Sequence, residues 1–341
     1  MKKICVIFTG GTIGSTVGES INVNETQKTI LLEHFYENYE GEDVEIETMS
    51  PLYTLSENMT CEKWEVLVNA VSEAQTKDYD GIIVTHGTDS LAYTSCMLGF
   101  MFANTDIPIV VVSSNKPLTD DSANGHHNFM SAVNFIVNAQ VRGVYVAFRD
   151  RKKSDNIHIA TRLTQAMQIT GEVFSANLEP FGRMAGSHFL PNKVDNPPVK
   201  EVNSKKIVLP GNSARFSNEF ILIKPYVGLN YEFFHSKYKA KFILHELYHS
   251  GTACVEGKNT SLIEYSKYCK QNNIDLYIAP ISSSQGEYES LKELLDNNVK
   301  ILRGMSLEAS LVKLMIAYGR YSSNKIRETF IEQDLFFEYM N

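Results

Sequence analysis

The chain has 341 residues, with 32 basic against 40 acidic side chains and a formal net charge of −8. That balance argues against nucleic acid or an anionic membrane as the main partner. A composition of 43% hydrophobic and 21% charged residues argues against disorder, and the length suffices for two domains with a substantial core. Cys5, Cys61, Cys96, Cys254 and Cys269 are scattered and form no CxxC pair, so they read as reduced thiols in a cytoplasmic protein. The apolar run after Met1-Lys2-Lys3 is too short for a signal-peptide core, and no stretch is long enough to span a bilayer.

Strand-like and helix-like segments alternate along the first half. Lys3 to Phe8 reads as a strand, Thr26 to Tyr39 as a helix and Val44 to Thr48 as a short strand. Thr60 opens a helix whose apolar face carries Trp64, Leu67, Val68 and Val71. Strands Gly81 to Thr85, Ile107 to Ser113 and Gly143 to Phe148 follow, separated by helices from Ser90 to Phe102 and from about Asn128 to Val141. This rhythm predicts an α/β fold: a larger N-terminal domain (1–190) with a mostly parallel sheet and helices on both faces. Residues 191–217 hold Pro191, Pro197, Pro198, Pro210 and Gly211 and read as a linker. A smaller C-terminal α/β domain (218–341) is expected beyond it. Its candidate strands are Phe220 to Lys224, Phe242 to Leu244, Leu276 to Ala279 and Val299 to Leu302, and its candidate helices are Ser261 to Asn272, Gln285 to Asn297 and Ser306 to Tyr318.

Two segments share one form. In Ile4 to Gly14 an apolar run breaks into Thr9-Gly10-Gly11-Thr12, and in Gly81 to Ser90 a second run breaks into Thr85-His86-Gly87-Thr88-Asp89. Each delivers a hydroxyl at the C-terminal end of a buried strand, where open α/β sheets bind ligands. A lone threonine at a strand end is usually a local cap. Two glycine-rich loops of this form point instead to nucleophilic chemistry, because glycines admit a ligand close to the backbone and leave amides free to meet an oxyanion. The first loop matches neither GxGxxG nor GxxxxGK[ST], so phosphate binding is a weak reading.

His245-Glu246-Leu247-Tyr248-His249 matches HExxH, but the strand-like residues before it and Gly251 after it leave no room for a zincin helix. His126-His127 reads as a solvated pair rather than a metal site. The stretch Arg149, Arg151, Lys152, Lys153 and Arg162 reads mostly as a solvated face, with Arg162 the candidate to bring positive charge to a site.

On these motifs the chain resembles the bacterial-type asparaginases and glutaminases, especially the cytoplasmic type I branch. Thr9 to Ile13 is similar to the family's TGGTI loop, and Thr85 to Ser90 to its HGTDT signature. Ser113 to Gly125 resembles its GSQxPL…SDG loop, Ser56 to Met59 its serine-containing substrate loop, and Leu307 to Leu314 its TEA-x-x-x-KL segment. The resemblance implies Thr12 as nucleophile, with Thr88 and Asp89 in a second catalytic group. It implies Ser56 on the α-carboxylate, and Gly11, Glu57, Gly87, Ser114, Thr252 and Glu308 among the substrate-binding residues. It also implies no metal or organic cofactor, a small amide or amino-acid substrate, and a homodimer or homotetramer. Four positions depart from the pattern. Thr161-Arg162 stands for a Thr-Lys pair, and Arg162 is expected to hold Asp89 bidentately without accepting a proton. Residues 14–28 lack the family's loop tyrosine, Thr252 takes an asparagine's place, and Asn124 replaces the aspartate of SDG. The leading expectation is an amidohydrolase working through an acyl-Thr12 intermediate. The alternative is an aspartate- or asparagine-binding protein with little turnover, and the remote one a zinc peptidase.

Overall fold

The computed structural model describes residues 1–11, 15–16, 22–23, 25–208, 213–235, 240–282, 289–297 and 299–340. They form two units, Met1–Ala214 with Leu335–Phe337, and Arg215–Asp334 with Glu338–Asn341.

The first unit contains, in order, β1 (Lys2–Phe8), β2 (Ser15–Thr16), β3 (Asn22–Val23), α1 (Glu25–Asn38), β4 (Val44–Met49), α2 (Cys61–Ala74), β5 (Gly81–Thr85), α3 (Leu91–Met101), β6 (Pro108–Val112), α4 (Gly125–Asn138), β7 (Gly143–Arg149), β8 (Asp155–Ile159), β9 (Gly182–Ala185), β10 (His188–Pro191) and α5 (Val199–Ser204). Apart from the short β2–β3 pair, the strands join one eight-stranded sheet in the order β10-β9-β8-β7-β6-β5-β1-β4. Neighbours from β4 to β7 run parallel, and β8, β9 and β10 continue the sheet antiparallel. The central strands are buried along their length, which is why GIIVT and PIVVV read as unbroken apolar runs. Sequence reading finds every parallel strand of this sheet and none of the antiparallel ones. The segment Asp155-Asn156-Ile157-His158-Ile159 carries too many polar residues for its two-residue period to stand out.

The parallel strands follow the order 2-1-3-4-5 counted along the chain, with the reversal between β1 and β5. In such sheets the crevice at the reversal, outside the carboxyl ends of the strands, is where ligands bind. The expected helix opening at Thr60 is present, and the Thr60 hydroxyl accepts from Lys63 N at 3.4 Å. α4 begins at Gly125, earlier than the expected start near Asn128. His126 also differs from expectation: it is half-buried, and its ring stacks on His34 with centroids 3.8 Å apart.

The second unit holds β11 (Phe220–Ile223), β12 (Phe242–Glu246), α6 (Leu262–Gln271), β13 (Asp275–Ile281), α7 (Glu289–Asp296), β14 (Lys300–Arg303), α8 (Leu307–Arg320) and α9 (Asn324–Glu332). Its four strands form a parallel sheet in chain order, over a core that includes Ile223, Ile243, Tyr265 and Ile278. Residues 285–288 of the helix expected from Gln285 lie outside the described residues.

The HExxH match falls on β12 and the turn after it. His245 is fully buried on the strand, with Nε2 2.8 Å from the Tyr231 hydroxyl, and His249 is exposed beyond the strand end. Two histidines held this way do not share a helical face, so the zinc-peptidase reading is withdrawn.

Candidate active site

The β1 and β5 loops meet backbone to backbone. Thr9 donates its hydroxyl to Thr85 O at 2.6 Å, joining the two strands where the ladder stops. Gly10 and Gly11 then take φ values of +99° and +82°, open to glycine at little cost. Gly11 lies so close to Gly87 that a Cβ on Gly11 would fall 2.6 Å from Gly87 Cα and 2.8 Å from His86 C. The chain after β4 borders the same place: Gly11 N donates to Thr54 O at 3.1 Å, and Thr54 N to Thr9 O at 2.9 Å. Thr12, the expected nucleophile one residue on, lies outside the described residues.

Ser56 follows on this third segment, buried at the start of a 3₁₀ turn. Its hydroxyl donates to Asp89 Oδ2 at 3.0 Å and accepts from Asp89 N at 3.1 Å. Ser90 Oγ donates to Ser56 O at 2.6 Å. A Cβ on Gly87 would lie 2.7 Å from Ser56 Cβ, so both glycines are needed for three chain segments to converge. Thr88 is half-buried, and Asp89 and Glu57 are exposed. The structure therefore brings Gly11, Ser56, Gly87, Thr88 and Asp89 together at the β1/β5 switch point. α3 starts directly after them, which turns the positive end of its dipole toward this loop.

One supporting residue escapes sequence reading. Lys63, on the first turn of α2, donates to Thr54 Oγ1 at 2.8 Å and to Asn58 O at 2.7 Å, bracing the Ser56 segment at both ends. In the sequence it is one lysine among many at an amphipathic helix start.

His86 is fully buried in the loop after β5. Its N donates to Val112 O at 2.8 Å, and Nδ1 lies 2.8 Å from Gly87 O, a carbonyl that only the protonated nitrogen can bond. Burial pushes its pKa down to about 4, and burial does the same to His158 and, in the second unit, His245. An unfolded histidine titrates near 6.5, so these three contribute stability that is complete above that pH and is lost as pH falls toward 4. Each removes up to about 1.4 kcal/mol per pH unit inside that window. The urea midpoint of the protein is accordingly expected to fall steadily between pH 6.5 and 4.5. A flat profile over that range contradicts the burial of these rings.

Arg162 is a correction. Ile159 at the end of β8 pairs with Tyr145 near the start of β7, so Arg162, in the 3₁₀ turn that follows, lies at the amino edge of the parallel strands. Gly11 and Gly87 are at the carboxyl edge, a strand's length away. The guanidinium is buried, with Nε donating to Phe337 O at 2.5 Å and Nη1 to Asp195 O at 2.7 Å. A partnership of Arg162 with Asp89 is therefore not what this sheet provides. Register, invisible in sequence, decides the matter: the hairpin after β7 reverses the chain and carries Thr161-Arg162 back across the sheet.

Ser114 is buried just past β6 and bonds the Lys116 carbonyl. Thr252 and Glu308 belong to the second unit. Thr252 is half-buried in the turn after β12, where Tyr248 N donates to its carbonyl at 2.9 Å and its hydroxyl lies 2.9 Å from Ser250 Oγ. Glu308 is buried in the first turn of α8, which Ser306 caps by accepting from Ala309 N at 3.1 Å. Among the described residues no group of three or more His, Cys, Asp or Glu could hold a metal, and no helix is long and apolar enough to cross a membrane.

A doubly wound sheet with two glycine loops, a serine and an aspartate at its switch point is the arrangement that the resemblance to the asparaginases implies. The chain belongs to the asparaginase family: residues 3–195 match the family described as "Asparaginase, N-terminal". L-asparaginase 1 of Escherichia coli strain K12 is 31% identical over 213 residues, covering 61% of this chain and 60% of that protein. The match thus spans less than two thirds of that relative's length. A glutamyl-tRNA(Gln) amidotransferase subunit of Methanococcus maripaludis strain C7 is 26% identical over 353 residues, covering 96% of this chain and 78% of that protein. Among solved structures, the thermostable L-asparaginase from Thermococcus kodakarensis superposes with a TM-score of 0.81 at 25% identity, over 99% of both chains.

Proposed function

We propose that this chain is an amidohydrolase that cleaves the side-chain amide of asparagine or a related small carboxamide. The Thr12 hydroxyl attacks the amide carbonyl, ammonia leaves, and water hydrolyses the acyl-Thr12 ester to the free acid. The observation that carries this reading is the convergence of the Gly11 and Gly87 backbones with the Ser56–Asp89 pair at one switch point. The α3 N-terminus beside Ser56, whose hydroxyl would turn from Asp89 to the ligand, suits an α-carboxylate, and the exposed Asp89 suits an α-ammonium group. Thr88 joins the second catalytic group. Arg162 takes no part, so the general base that Thr12 needs comes from elsewhere. The five free cysteines support a reducing, cytoplasmic setting, and the Thr252 turn, which resembles a loop shared between subunits, supports a homodimer or homotetramer.

The similarity to an amidotransferase subunit over most of the chain favours a second reading, in which the ammonia is released for a transfer reaction rather than lost. A binding protein without turnover is the third. Ammonia release from asparagine, glutamine and simple amides tests the first two. Thr12→Ala is expected to lower the rate at least about 10²-fold, the contribution typical of an assisted nucleophile. Equal rates for the two proteins reject the mechanism. Thermal stabilisation by aspartate without any turnover supports the binding protein instead.

A further inference from the structure

The β6–β7 ladder ends at Val112 and Ala147. Beyond it β6 enters the loop that carries Ser113 and Ser114, and β7 enters its hairpin with β8. Two asparagines one helical turn apart at the start of α4 span the gap. Asn128 donates from Nδ2 to Ser113 O at 2.8 Å and accepts at Oδ1 from Arg149 N at 2.6 Å. Asn124 accepts at Oδ1 from Asn115 N at 2.9 Å and donates from Nδ2 to Arg149 O at 2.9 Å. Asn115 reciprocates, its Oδ1 accepting from Asn124 N at 3.0 Å. Backbone N–H and C=O groups have fixed polarity, so both carboxamides are oriented without ambiguity and each must donate and accept at once. Both side chains are buried. The same turn touches Ser114 directly, since a Cβ on Gly125 would lie 2.8 Å from Ser114 Cβ and Oγ.

We infer that Asn124 and Asn128 are positioning residues: their carboxamides suture the end of β6 to the end of β7 and thereby hold the loop that carries Ser114, the substrate-binding position the resemblance implies. The inference rests on the amide-hydrolysis reading of the cleft. It also explains why an asparagine suits position 124. A carboxylate there accepts only, and it would set its lone pairs against those of Arg149 O. A protonated carboxyl recovers both roles, one oxygen accepting from Asn115 N while the hydroxyl donates to Arg149 O.

Asn124→Asp is therefore a lesion that pH operates. Near pH 8 its KM for the amide is expected to rise about tenfold with kcat little changed, the cost of one unsatisfied buried group. The KM ratio of variant to wild type should shrink toward one as pH is lowered to 5. Lys116, Asp121, His127, Arg149, Asp150, Arg151, Lys153 and Glu172 border the same cavity in both proteins, so the ratio isolates the new carboxyl. Asn124→Ala should show a loss that pH does not relieve. A pH-independent ratio for Asn124→Asp, or a loss carried by kcat alone, overturns the inference.

The melting temperature gives a readout that needs no turnover. The introduced carboxyl is favoured in its protonated form when folded, so the deficit of Asn124→Asp against wild type should widen as pH rises from 4 to 8. A constant deficit overturns the suture even if the wild type hydrolyses no amide, and absence of hydrolysis with a widening deficit faults only the functional reading. Should Asn124→Asp not fold, Asn115→Ala removes the reciprocal bond from an exposed position and is expected to raise KM without moving kcat. An unchanged KM in that variant overturns the inference.

Discussion

Gly11→Ala is expected to leave a protein with at least about 10²-fold less ammonia release, because misplacing a catalytic loop by an ångström costs that much. The reason is geometric. The atoms a Cβ would meet, Gly87 N, Gly87 Cα and His86 C, are all backbone, so no side chain can swing aside. The residue's φ of +82° adds strain for any side chain, typically about 1–3 kcal/mol. Relief requires the β1 and β5 loops to part, and with them the threonines that each loop presents. Gly186→Ala separates the two costs, since Gly186 has φ +60° but nothing within 4 Å of a new Cβ. That variant should lose stability alone. Steady-state ammonia release and urea denaturation of both variants check this, and wild-type turnover in Gly11→Ala would show that the loops need not touch.

The largest stability effect is expected in the second unit, from Lys313→Met. Lys313 and Glu338 are both completely buried and bonded at 2.6 Å, and the ammonium also donates to Gln333 O at 2.6 Å. Desolvating two ions is costly, and the pair is tolerable only while both members are present. Removing the lysine takes the ammonium away from the buried Glu338 carboxylate, a loss of about 3–5 kcal/mol. The double variant Lys313→Met/Glu338→Leu removes the carboxylate as well and is expected to recover most of that loss, as apolar replacements of buried pairs often do. Denaturation of the single and double variants in parallel measures this. A double variant as unstable as Lys313→Met would place the loss in packing rather than in charge.

What the sequence makes legible here is local. The runs before Thr9 and Thr85 announce parallel strands because a strand buried on both faces must be apolar throughout. Their glycines announce close approach, and the structure brings the loops together as that reading requires. Thr60 announces a helix start through its hydroxyl. The failures share one cause, which is dependence on partners distant in sequence. Arg162 follows a threonine as a catalytic lysine would, yet its position is set by the β7–β8 register. His245 and His249 have metal spacing only if their segment is a helix, and the parallel pairing of β12 with β11 and β13 makes it a strand. The Lys313–Glu338 pair spans 25 residues, and nothing in either neighbourhood distinguishes it from a solvated charge.

Leu335–Phe337 belong to the first unit although more than a hundred residues of the second precede them. Phe336 is buried, its carbonyl accepts from Thr161 Oγ1 at 2.6 Å, and its ring lies 6.1 Å from that of Tyr145. The amino-terminal half is thus not self-sufficient as a stretch of gene. A fragment ending at the proline-rich junction would be left with a hydrophobic socket and an orphaned threonine hydroxyl, because residues 335–337 stay on the other side of the cut. Evolutionary exchange of either half by simple recombination is correspondingly awkward: a donor fragment must bring its own tail or find one that fits.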